Sequence, residues 1–131
     1  MKVVIDASAA FEIAFKGKKY EHYREILENA EEVIAPPLFQ NEITNTLWLY
    51  AKAGYVDMQN AKLTLAYIFQ LVDSYENTAD CSLEILHEAA RLGHSTYDMS
   101  YLIHARRNAS TLLTVDRKLI KLCQDCGVDV E

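Results

Sequence analysis

The stretch V-V-I-D-A-S at residues 3–8 decides how this chain reads. Val3, Val4 and Ile5 make a short β-branched run that predicts a buried strand, and Ser8 is placed to cap a helix reaching about Phe15. Asp6 lies between the two. In an open parallel sheet functional groups gather just beyond the carboxyl ends of strands, so an acid at this point is either a helix N-cap or a site residue.

Strands and helices alternate from there onward. A basic turn at Lys16–Lys19 leads into a helix through Tyr23, Ile26 and Leu27 to Ala30, then a short strand at Val33, Ile34 and Ala35 closed by Pro36 and Pro37. Helices are expected over residues 38–53, ended by Gly54, and over 58–71, with a short strand near 73–77. Gly93 and His94 separate helices over 80–92 and 96–108. A strand at 111–115, a helix at 117–124 and a last strand at 128–130 beyond Gly127 complete the pattern. This is an α/β fold in three layers, a central and mostly parallel sheet flanked by helices. The pair of helices between the second and third strands has room to protrude as a clip.

The 131 residues suit one domain spanning 1–131, half of them apolar and a quarter charged. The opening apolar run is too short for an export signal, and no stretch approaches the roughly 20 apolar residues of a membrane span, so a cytoplasmic location is expected. Cys81, Cys123 and Cys126 are an odd number without a secretion signal, which argues against a disulfide framework, and the Cys123–Cys126 spacing lacks two further zinc ligands. A net charge of −6 argues against binding nucleic acid through a broad basic surface. It leaves room for a nuclease whose carboxylates hold cations.

Four acids occupy telling places. Asp6 and Asp116 each follow a strand, where capping and site readings compete. Asp98 heads a helical stripe with Tyr101, Leu102, Ala105 and Ala109, so it points inward, although the Ser95–Asp98 spacing also fits a capping box. Glu42 falls among Leu38, Phe39, Ile43, Thr46 and Leu49, with no Lys or Arg one turn away on its helix, and calls for a basic partner from elsewhere or a metal. Four acids brought together repel unless a cation joins them. Hard oxygen ligands without a Cys or His cluster favour Mg2+ or Mn2+, and with them phosphodiester hydrolysis.

Taken in order, V-V-I-D-A-S at 3–8, N-E-I-T at 41–44, S-T-Y-D-M-S-Y-L at 95–102 and L-L-T-V-D-R-K-L at 112–119 resemble the PIN domain, and within it the VapC-like toxins of type II toxin–antitoxin systems. The resemblance spans the chain. It places the family's catalytic and metal-holding acids on Asp6, Glu42, Asp98 and Asp116, and supporting hydrogen-bonding residues on Ser8 and Thr114. It implies a PIN-like fold, metal-dependent endonuclease action on RNA, a homodimer and a cognate antitoxin protein. The run M-S-Y-L-I-H-A-R-R after Asp98 is bulkier and more basic than the family's usual alanine-rich segment, which bears on substrate preference.

Arg117 and Lys118, at the head of the last helix, are the candidate RNA contacts, with solvated surface as the competing reading. Trp48 lies off the apolar arc of its helix and serves either a partner or a second buried face. His22, His87, His94 and His104 show no ligand spacing with the acids and read as structural or surface residues. A haloacid-dehalogenase-type phosphatase needs an Asp where Ser8 stands, and a phosphoryl-accepting receiver domain does not fit the order of the acids. An RNA-processing PIN nuclease without a toxin role and a non-catalytic PIN scaffold are the remaining rivals.

Overall fold

In a computed structural model describing residues 1–131, four parallel strands form the sheet. β1 is Lys2–Ile5, β2 Glu32–Ala35, β3 Ser74–Tyr75 and β4 Thr111–Leu113, in the spatial order β3-β2-β1-β4. β1 lies at the centre, Val3 opposite Val33 on one side and Thr111 on the other. Both faces of such a strand are covered, and Val3, Val4 and Ile5 are fully buried, each contributing about 1.5–3 kcal/mol by leaving water.

Seven helices surround the sheet: α1 Ala7–Ala14, α2 Tyr20–Asn29, α3 Leu38–Ala53, α4 Met58–Phe69, α5 Ser82–Leu92, α6 Thr96–Arg107 and α7 Arg117–Asp125. α3 keeps its expected limits because Pro36 and Pro37 precede it and Gly54 ends it at φ 81, a left-handed cap that glycine adopts at little cost. α4 folds back against α3 and α1, burying Ala61 and Ile68, so the base of this helix pair belongs to the core.

Three expectations need correction. Asp6, not Ser8, caps α1: its backbone is extended and its carboxylate accepts the Ala9 amide, while Ser8 already lies inside the first turn. Helix α5 starts at Ser82, after a single 3-10 turn at Ala79–Cys81. The segment at 128–130 runs beside β4 but forms one bridge, Leu112 with Val130, because so short a run beyond the Gly127 turn leaves space for a single rung. That rung still matters. The buried Tyr23 hydroxyl donates to the carbonyls of Thr114 and Glu131, both at 2.9 Å, pinning the end of β4 where the site begins.

All three cysteines are free. Cys123 is buried in the core, and burial pushes its thiol up to about 12, so it remains a protonated packing residue at neutral pH. No helix is long and apolar enough to cross a membrane.

Candidate active site

Asp6 sits at the carboxyl end of β1, only 5% exposed. Its Oδ1 accepts the Ala9 amide at 2.8 Å and the Ser8 hydroxyl at 2.7 Å, and its Oδ2 accepts the Thr114 hydroxyl. Ser8 Oγ in turn accepts the Val115 amide at 3.0 Å, and Thr114 Oγ1 the Asp116 amide at 3.1 Å. Ser8 and Thr114 thereby lace the ends of β1 and β4 together around one carboxylate. Every donor to Asp6 is neutral. Burial raises its pKa from 3.8 to about 6 against the pull of those hydrogen bonds, and the charge of Glu42 adds to the rise.

Glu42 projects from the second turn of α3 toward α6, where the Tyr101 hydroxyl donates to its Oε1 at 2.6 Å. No Lys or Arg pairs with it; Glu42 was expected to need either a base or a metal, and its one side-chain partner is a neutral phenol. Burial, and then the charge of Asp98, hold its pKa above the ordinary range. Asp98 lies in the first turn of α6, half-buried. Ser95 caps that helix by accepting the Asp98 amide at 3.2 Å. Burial and the charge of Asp116 raise its pKa, while His94, the Ser95 hydroxyl and Lys118 work against the rise.

Asp116 is the N-cap of α7, its Oδ1 accepting the Lys118 amide at 2.9 Å and the Leu119 amide at 3.4 Å. Here the capping reading holds alongside the site reading. The carboxylates thus form a row of neighbours: Asp6 feels Glu42, Glu42 feels Asp98, and Asp98 feels Asp116. They do not form a closed cage, since no three Asp, Glu, His or Cys side chains converge into a group that holds a metal as they stand. An open row of hard oxygen donors suits Mg2+, which keeps several waters and takes one or two carboxylates, better than it suits a fully ligated ion.

Arg117 and Lys118 are exposed at the head of α7. With Lys121 and His94 they line an open cleft of about 370 Å3 beside the Asp98–Asp116 end of the row. Two residues of the site were not expected. Tyr101 read as part of an apolar stripe; its signal was a phenol three residues after Asp98 on a buried face, where the hydroxyl needs a partner. His94 read as a structural or surface residue, yet its Nδ1 lies 3.3 Å from Asp98 Oδ2, buried and without a well-formed hydrogen bond. The i, i+4 spacing from Asp98 was the legible sign. Trp48 is 53% exposed, with Lys52 Nζ 5.2 Å from its ring centre, so the reading of a second buried face fails.

Comparison with known proteins finds relatives of this chain in sequence and in fold. The chain is 28% identical over 123 residues to Ribonuclease VapC3 of Pyrobaculum aerophilum, covering 91% of this chain and 92% of that protein. It is 29% identical over 132 residues to Exonuclease VapC9 of the same organism, covering 100% and 92%. Its structure resembles the crystal structure of PAE2754 from Pyrobaculum aerophilum with a TM-score of 0.75 at 28% identity, over 92% of this chain and 86% of that one. The PIN domain model matches residues 3–124, and so takes in all four carboxylates and both laced strand ends: this chain belongs to the PIN domain family.

Proposed function

We propose that this chain is a divalent-cation-dependent ribonuclease, the toxin of a toxin–antitoxin pair. The carrying observation is the row Asp6–Glu42–Asp98–Asp116, four acids at one end of a parallel sheet, none in an ion pair with a Lys or Arg; burial raises the pKa of Asp6, Glu42 and Asp98. The names of the two relatives from Pyrobaculum aerophilum support nuclease action. Asp6, Glu42, Asp98 and Asp116 hold Mg2+ or Mn2+. When bound, the cation supplies an activated water and neutralises charge on the phosphodiester.

The protein's own contribution is placement. Ser8 and Thr114 hold Asp6 against rotation, Tyr101 holds Glu42, and Arg117 and Lys118 draw the RNA backbone to the open end of the row. We read the enzyme as an endonuclease working in the cytoplasm as a homodimer, restrained by a cognate antitoxin protein. One relative is called a ribonuclease and the other an exonuclease, so the mode of cutting needs its own test. The open row without a preformed cage favours one competing reading, a PIN scaffold that binds without cutting.

Purified protein is incubated with linear and covalently closed circular single-stranded RNA in Mg2+, in Mn2+ and in chelator, beside Asp98→Asn. Metal-dependent cutting of both forms, reduced more than about 100-fold in the variant, is the expected result, since even outer partners of a metal site cost 10–100-fold. Cutting of linear RNA alone makes it an exonuclease. A folded protein that binds RNA but cuts neither form in any metal overturns the catalytic reading in favour of the scaffold.

A further inference from the structure

A groove of about 510 Å3 leaves the carboxylate row along α1, walled by Ser8, Glu42, Phe11, Phe15 and Tyr50. Its far half is aromatic. Phe11 and Phe15 stack at 5.8 Å with their planes 13° apart, Tyr50 tilts against both at 5.7 and 6.1 Å, and Tyr55 meets Tyr50 edge-on at 6.2 Å. Ordinary packing clusters hide such rings. Here Phe15 is 50% exposed and Tyr55 81% exposed.

We infer that this cluster is a stacking platform for an unpaired base of the RNA strand, next to the scissile phosphate; the inference rests on the nuclease reading above. Continuity with the site comes first, because Ser8, which binds Asp6, and Glu42 are themselves walls of the groove. Seven residues of helix separate Ser8 from Phe15, about 10 Å along the axis, which is the reach of the next nucleotides of a single strand. Charge decides which part of the nucleotide enters. Glu12 and Glu42 border the groove and repel phosphate or an acidic peptide, whereas a neutral planar base carries no charge for them to repel and can lie against the rings of Phe11, Phe15 and Tyr50. The backbone stays outside, toward Arg117, Lys118 and Lys121 at the other end of the row. Unpaired bases splayed from RNA are commonly held on aromatic side chains in this way, with little dependence on base identity.

The test uses Phe15→Leu and Tyr55→Leu, surface changes that keep apolar bulk and remove the ring. Each is expected to raise KM for a single-stranded oligonucleotide about tenfold with kcat within twofold. Replacing one base at a time by an abasic linker should reproduce that loss at one position in the wild type and cost the Phe15→Leu protein little there. Binding is read independently as quenching of 2-aminopurine at that position on the Asp98→Asn protein. Quenching that Phe15→Leu abolishes upholds the platform even if no RNA is ever cut, in which case only the nuclease reading falls. Cutting by a wild type whose KM ignores both variants and every abasic position overturns the platform and leaves the nuclease intact. Loss of binding to a protein partner, with RNA KM unchanged, overturns it likewise and assigns the rings to a peptide.

Discussion

Asp6 and Glu88 are carboxylates of nearly equal exposure, 5% and 6%, with opposite chemistry. Glu88 accepts from Arg91 Nε at 2.8 Å and from Arg106 Nη1 at 3.1 Å, and these guanidinium groups hold its pKa down to about 2. It lies near the surface under the arginines that neutralise it, within a network that also joins Glu84 to Arg106 and Arg107. Asp6 lies deep at the end of β1 with hydroxyl and amide donors only, and rises to about 6. A structural acid is matched by fixed cations from its own fold. An acid left unmatched in a buried place is, on the metal-dependent reading proposed above, the one that a cation from outside would join.

The largest effect expected from breaking this contrast is at Asp6. Its folded pKa exceeds its ordinary 3.8, so the group opposes folding progressively as pH rises from about 4 through 6, and the full penalty, about 3 kcal/mol, holds above that. In chelator, Asp6→Asn keeps a good N-cap and should be more stable than the wild type at pH 7 by up to that amount, with the pH 4–6 slope gone. Urea unfolding at four pH values measures it; an unchanged slope in the variant would refute the assignment. Glu88 runs the other way, its contribution present above about 4.5 and lost as pH falls toward 2.

Tyr101→Phe removes the single hydroxyl that orients Glu42, and metal affinity should fall 10–100-fold while the fold is retained. Titration with Mn2+ followed calorimetrically reads this; an unaltered affinity would mean that Glu42 does not depend on the phenol. On the matched side, Arg106→Met leaves Glu84 and Glu88 partly uncompensated and should lower Tm by roughly 5 °C at pH 7 without touching metal affinity. A change in metal affinity there would erase the distinction between the two regions. Smallest is Lys118→Gln, which should flatten the dependence of log K for single-stranded RNA on log salt by about 0.7 and leave kcat at saturating RNA unaltered.

Much of this was readable from the chain alone. The β-branched run before Asp6, the prolines and glycine that bound α3, and the apolar periodicity of α6 are local signals, and local signals dictate strands, helix limits and which side of a helix faces inward. Position and periodicity singled out Asp6, Glu42, Asp98 and Asp116 as candidates for the same reason: each sits at a strand end or on a buried helical face that can be counted along the sequence. Counting does not say what waits across the gap. That Tyr101 would turn its hydroxyl on Glu42, that Ser8 would bridge Asp6 to Val115 instead of capping α1, and that Arg106 would neutralise an acid 18 residues away were decided by packing. Burial and charge compensation are properties of the assembled environment, so only the tertiary structure could separate an acid the fold has already matched from one it leaves open.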